Sequence, residues 1–185
     1  YRDSTYDIIY FGTETIDKNG IATNKGNDEE NAINKQDTET IRYISHVPWG
    51  KMYSIEMINR HKIRFSETIA ANDSMFVLLA GYYANQVRID SNKIYVHIIR
   101  THSLTQTFTR EIKMARLNIF CERNRFIINN HIPVKATFLL SLVNSFKEDG
   151  HKTLTYWKAL LFYLTHQPLE SVIQDIKNYY FHNHN

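Results

Sequence analysis

The apolar residues of this chain change their spacing near Ser103. Upstream they come in short blocks and alternations, the patterns of strands and short helices. Tyr6-Asp-Ile-Ile-Tyr-Phe11, closed by Gly12, predicts a strand buried on both faces. In Lys93 to Arg100, Ile94, Val96 and Ile98 alternate with Tyr95, His97 and Ile99, which predicts a strand with two distinct faces; a shorter strand is predicted near Gln86 to Ile89. Downstream, apolar residues recur every three or four positions. Phe108, Ile112, Ala115, Ile119 and Phe120 form one helical stripe, and a second helix is expected from Pro133 with Val134, Phe138 and Leu142. Trp157, Leu160, Leu161 and Leu164 mark a third, and Leu169, Val172, Ile173 and Ile176 a fourth that begins at Pro168. The chain therefore divides into a mixed α/β segment, residues 1–105, and an all-helical tail, residues 106–185.

Local signals fill in the first segment. Asp17-Lys-Asn-Gly20 is a turn, within a loop or loose hairpin expected from Thr15 to Gln36. A short helix is expected from Thr38 to Ser45. Another runs from a Ser54 cap to His61, with Glu56 favoured in its first turn by the helix dipole. Phe76, Leu79, Ala80 and Tyr83 then predict an amphipathic helix that starts at Asp73.

Several functions are excluded or disfavoured early. A formal net charge of +3 is not the basic footprint of a nucleic-acid binder. Arg110, Lys113 and Arg116 sit at helical spacing and read as a solvated face. The lone Cys121 rules out an intrachain disulfide and a cysteine-based zinc site, and its apolar surroundings suit a small hydrophobe. No run of about 20 apolar residues is present. The expected compartment is cytoplasmic, with the inner face of the membrane as an alternative. The sequence holds no P-loop, Gly-x-Ser-x-Gly, His-Glu-x-x-His, Cys-x-x-Cys or Asp-x-Asp.

One ordered set of motifs is more informative. Pro48-Trp-Gly-Lys-Met-Tyr53 is followed by Ile63-Arg-Phe65, Asn72-Asp-Ser-Met-Phe76, Gly81-Tyr-Tyr-Ala84, Ile94-Tyr-Val-His-Ile-Ile-Arg100 and His102-Ser-Leu-Thr105. Over roughly residues 5–107, this order and spacing resembles the carboxyl-terminal half of bacterial family 2 glycosyltransferases with a GT-A fold. The implied fold class is α/β: the carboxyl-terminal half of a GT-A-type mixed sheet followed by the helical tail. Tyr6–Phe11 would be the strand that follows the family's metal-binding Asp-x-Asp. On this reading the chain, which opens at Tyr1 close to a strand, is an excised piece without the nucleotide-sugar-binding half.

The resemblance implies roles for particular residues. Asp73 matches the general base that takes the proton from the acceptor hydroxyl; read alone it is more simply a helix N-cap, and the base reading comes ahead only in register with the other motifs. Asn72 stands where the family has Glu, and can hydrogen-bond the acceptor without charge. Trp49 and Lys51 match the acceptor-side segment, Trp49 stacking on a sugar face and Lys51 donating to oxygens. Their plainer readings are a core Trp and a solvated Lys. Arg100, His102, Ser103 and Thr105 match a loop that closes over the donor diphosphate, whereas His97 reads as a packing residue. The implied activity is inverting transfer from a nucleotide-sugar donor to a glycan or lipid-linked acceptor, for cell-surface polysaccharide. A divalent cation, Mn or Mg, is implied for the intact parent and none is expected in this piece. Self-association is expected across the truncated face, near residues 6–11 and 93–99. The competing reading is a non-enzymatic α/β-plus-helical module that docks a protein partner.

Overall fold

The computed structural model describes residues 5–22, 28–99, 109–134, 139–146 and 153–183. The chain forms two compact units, Tyr1–Glu67 with Asn72–Thr107, and Thr68–Ala71 with Phe108–Asn185. It is a mixed α/β protein.

The first unit is built on a three-stranded sheet ordered β2-β1-β3. Strand β1, Ile8–Ile16, lies in the middle, antiparallel to β2, Lys51–Tyr53, and parallel to β3, Val87–Ile98. Ile8, Ile9, Tyr10 and Phe11 are all buried, which explains why the sequence there is apolar without alternation. The parallel β1–β3 pair needs a long crossover. Among the described residues that crossover holds β2 and four helices: α1, Asp28–Asn34; α2, Thr38–Ile44; α3, Ile55–Arg60; and α4, Ser74–Tyr83. Asp37 caps α2 by accepting from Thr40 N, and Ser54 caps α3 by accepting from Met57 N. Ile33, Ile41, Met57, Ile63, Val77 and Ala80 pack with Ile8, Tyr10 and Ile89 in one core.

Three expectations change here. The two strands predicted after Gln86 are one, β3, broken only by a register irregularity against Phe11, Gly12 and Thr13. Asp90 accepts from Asn92 N inside that kink, and a Cβ on Gly12 would stand 2.6 Å from the Ser91 carbonyl oxygen. The Thr15–Gln36 segment is not all loop, because β1 extends to Ile16 and α1 occupies Asp28–Asn34. The Asp17 turn is present, with Asp17 Oδ1 accepting from Asn19 N and Ile21 N. Finally, residues 6–11 are no exposed edge. β2 and β3 flank β1, so its backbone groups are paired on both sides along Ile8–Tyr10.

Helix α4 is buried on almost every side rather than amphipathic; Ser74 through Leu78, Ala80 and Gly81 are all inaccessible. Its close approach to α2 depends on Gly81, where an added Cβ would meet the Arg42 carbonyl oxygen and carbon of α2. The Arg42 guanidinium in turn donates to the carbonyls of Gly81 and Ala84, at 2.9 and 2.5 Å, and so satisfies acceptors at the end of α4.

The second unit is helical: α5, Arg110–Asn129; α6, Leu140–Ser145; α7, Thr153–His166; and α8, Leu169–Asn183. Thr109 caps α5. Leu117, Cys121, Leu139, Val143, Phe146, Ala159, Tyr163 and Val172 form its core. Burial pushes the Cys121 thiol up to about 11, in keeping with a packing role. Lys113 is not on a solvated face: it is buried, lies over the Phe146 ring and donates to the Ser145 carbonyl at the end of α6. At the other end of α6, Asp175 accepts from Leu139 N and from the Tyr163 hydroxyl. The second tail helix starts at Leu140, not Pro133; residues 135–138 lie outside the described set. The apolar stripes of α7 and α8 also differ from expectation. Ala159, Tyr163 and Val172 face the core, while Trp157, Leu161, Leu164, Leu169, Ile173 and Ile176 are exposed.

Candidate functional site

Asp73 occupies the N-cap position of α4, yet its side chain makes no capping hydrogen bond. Ordinarily a carboxylate there accepts from the first free amides of the helix. Here the backbone at Asp73 has already turned helical, with φ −88° and ψ −20°, and the carboxylate makes no capping bond further into the helix, meeting only its own amide and that of Ser74. Partial burial raises its proton affinity, only partly offset by backbone amides at Asp73 and Ser74. A half-buried carboxylate with raised basicity and no capping duty is suited to accept a proton.

Motif residues surround it. Asn72 is exposed, and its carbonyl accepts from Ser66 N, which ties the end of the Ile63-Arg-Phe65 segment to the start of α4. Phe65 stacks on Phe76 of α4 with ring centroids 4.2 Å apart, and Tyr53 of β2 meets the other ring edge-on at 5.3 Å. The Asp73 charge reaches Tyr53, whose hydroxyl is buried and pushed well above its usual range, first by burial. His46 Nδ1 lies 3.4 Å from the Ser74 hydroxyl. Three motifs separated in sequence thus meet around the N-terminus of α4.

Trp49 stands at the other end of β2. Gly50, with φ +69°, makes the turn that delivers Trp49 to the sheet; a Cβ there would also strike Thr13. The Trp49 indole lies nearly parallel to the rings of Tyr95 and His97, at centroid distances of 4.9 and 5.2 Å. These two residues of β3 are two positions apart and share one strand face. Trp49 is not a core residue: the three rings form a half-exposed aromatic platform, in which His97 packs against the indole, in keeping with its packing reading. The alternation in β3 was the available signal, but the partner of Tyr95 and His97 lies more than 40 residues away in sequence.

Lys51 is neither solvated nor a free donor. Its side chain is 1% exposed, and its ammonium donates to Glu29 and to the carbonyls of Val47 and Trp49. An ammonium has three donors, and all are taken. Burial pushes its pKa down, against the pull of Glu29. Lys51 therefore holds the Val47–Trp49 turn in place, and Glu29, in the helix missed from sequence, anchors it. Arg100, His102, Ser103 and Thr105 lie outside the described residues. Among the described residues no cluster of three or more His, Cys, Asp or Glu side chains could hold a metal ion. No helix among them is long and apolar enough to cross a membrane.

No family model matches the sequence, and no curated protein matches it. Among solved structures, the crystal structure of S. aureus TarS, residues 1–349 in complex with UDP-GlcNAc, is similar with a TM-score of 0.55 at 17% identity. The match covers 88% of this chain and 50% of that one. The chain thus shares the mixed α/β fold of a nucleotide-sugar-binding protein while spanning half of that protein's described length.

Proposed function

We propose that this chain carries the acceptor side of an inverting glycosyltransferase of the family 2, GT-A type. The acceptor is a glycan or a lipid-linked sugar, and the donor a nucleotide sugar. The observation that carries the reading is Asp73: a half-buried carboxyl with raised basicity, at a helix start, released from capping. The likeness to TarS, whose described complex holds UDP-GlcNAc, supports a donor of that class.

In the proposed step the acceptor hydroxyl oxygen attacks the anomeric carbon of the donor from the face opposite the diphosphate. The bond from that carbon to the diphosphate oxygen breaks and its electron pair leaves with the diphosphate. The hydroxyl proton passes to an Asp73 carboxylate oxygen. The Trp49 platform would hold an apolar sugar face, and Asn72 would hydrogen-bond an acceptor hydroxyl. Arg100, His102, Ser103 and Thr105 would donate to the leaving diphosphate. The 185 residues hold no Asp-x-Asp, so the donor grip is not expected among them. Calorimetry of the chain with nucleotide sugars and manganese tests this: the expected result is no binding at micromolar concentration, and micromolar affinity would place the donor site within these residues.

The non-enzymatic reading has one observation in its favour, the exposed apolar stripes of α7 and α8. They bear on assembly and leave Asp73 unexplained.

A further inference from the structure

Two buried phenol hydroxyls, those of Tyr10 on β1 and Tyr53 on β2, have no hydrogen-bond partner among the described residues. The sheet register places them together. Ile8 pairs with Tyr53 and Tyr10 with Lys51, so Tyr10, Lys51 and Tyr53 share one face of the sheet. Ser54 N donates to the Asp7 carbonyl and pins the end of β2. On the same face the Tyr53 ring meets the Phe76 ring edge-on at 5.3 Å, and Ile8, Tyr10 and Phe76 share the core there. Phe76 is three residues beyond Asp73, on the same side of α4. Phenol and carboxyl therefore stand beside one turn of one helix. A buried hydroxyl left without an acceptor is destabilising, so such a group in a native core calls for a partner.

The charges that bear on Tyr53 are those of Tyr10, Glu29 and Asp73. Glu29 is engaged by the Lys51 ammonium, which also lies over the Tyr10 ring. The Asp73 carboxylate accepts only from its own amide and that of Ser74, and a carboxylate has about four lone-pair sites, so it has room for another donor. Burial holds the proton on Tyr53, which keeps it a donor. We infer that the Tyr53 hydroxyl donates to the Asp73 carboxylate once that group is ionised, and so aims its other oxygen at the acceptor. Tyr53 is then a positioning residue, a role that rests on the reading of Asp73 as the base. Glu29 of α1, Lys51 of β2, Tyr10 of β1 and His46, 3.4 Å from the Ser74 hydroxyl, are the titratable groups on the neighbouring elements. Wild type and Tyr53→Phe share all four, so a difference between those two reads the Tyr53 hydroxyl.

The test compares wild type with Tyr53→Phe and, separately, Tyr10→Phe; each change removes one oxygen and keeps the ring. Carbon-13 NMR of the whole chain follows the Asp73 carboxyl, identified by its loss in Asp73→Asn, and urea unfolding checks that the variants keep the fold. A donor to a carboxylate favours the charged form, so its removal should raise the Asp73 midpoint by about one pH unit in Tyr53→Phe. Tyr10→Phe should leave it in place. A midpoint unmoved or lowered in Tyr53→Phe, or raised as far by Tyr10→Phe, would overturn the inference. In the full-length protein Tyr53→Phe should lower kcat about 10-fold, leave the donor KM unchanged and move the acidic limb of the rate profile upward with the midpoint. A midpoint that moves while the limb stays in place would uphold the hydrogen bond and refute Asp73 as the base, so the two readings fail separately.

Discussion

Replacing Gly81 by Ala should destabilise the chain although alanine is the better helix former. A Cβ at position 81 would lie 2.1 Å from the Arg42 carbonyl oxygen, 3.0 Å from its carbon and 3.4 Å from its Cα. All three are backbone atoms of α2, so no side-chain rotation relieves the clash. Restoring ordinary contact requires α2 and α4 to separate by about 1 Å, which also forfeits attraction along their shared surface. The same shift lengthens the two hydrogen bonds from the Arg42 guanidinium to Gly81 and Ala84. Overpacking of this kind costs about 1–3 kcal/mol, and loss of a charge-assisted hydrogen bond about 1.5–3 kcal/mol. The gain in helix propensity offsets about 1 kcal/mol. The net expectation is a loss of about 1.5–5 kcal/mol, or a fall in Tm of roughly 3–20 °C for a chain of this size. Thermal and urea unfolding followed by far-UV circular dichroism would measure it. A Tm equal to or above wild type would mean that propensity outweighs packing, and would refute the tight α2–α4 contact that sets the position of Asp73.

Two further outcomes follow from the site. Lys51→Met leaves the Glu29 carboxylate and the Val47 and Trp49 carbonyls without their donor, and should cost about 3 kcal/mol in urea unfolding; Glu29→Met added to it should recover a large part. Equal losses in the single and double variants would show that the pair is not coupled. Trp49→Ala in the full-length protein should raise the acceptor KM about 10-fold or more with the donor KM unchanged, and Trp49→Phe should restore part of it. An unchanged acceptor KM would remove the platform from acceptor binding.

Much of the fold was legible because it is written in local patterns. The unbroken apolar run of β1, the Ser54 cap of α3 and the apolar density of α4 each have a short-range cause. β2 was not legible, since three residues carry no period, and α1 was hidden in a polar segment whose helix is fixed by packing Ala32 and Ile33 into the core. Lys113 shows the limit of charge patterning, because its burial depends on a carbonyl 32 residues away in sequence. The stripes of α7 and α8 were visible as stripes, but periodicity does not say which of two apolar sides a core takes. At the site, the residue types were legible and their duties were not. Lys51 proved to be a strut once Glu29 was in view, and Tyr95 and His97 gained meaning only with Trp49 stacked on them.

The central claim is that Asp73 is the base, and Asp73→Asn tests it most directly. The substitution keeps shape and removes the proton acceptor. In the full-length protein the account predicts a transfer rate lowered about 10²–10⁴-fold, with donor affinity unchanged. It also predicts a wild-type pH–rate profile whose acidic limb lies above the ordinary aspartate range, because burial raises the Asp73 pKa. The linked stability has a definite sign. With the folded pKa raised, the stabilising contribution is present below the unfolded pKa and is lost as pH rises through the folded one. At neutral pH the variant should therefore be at least as stable as wild type, so that a lost rate is not lost folding. An Asp73→Asn enzyme that transfers sugar at the wild-type rate would contradict the account.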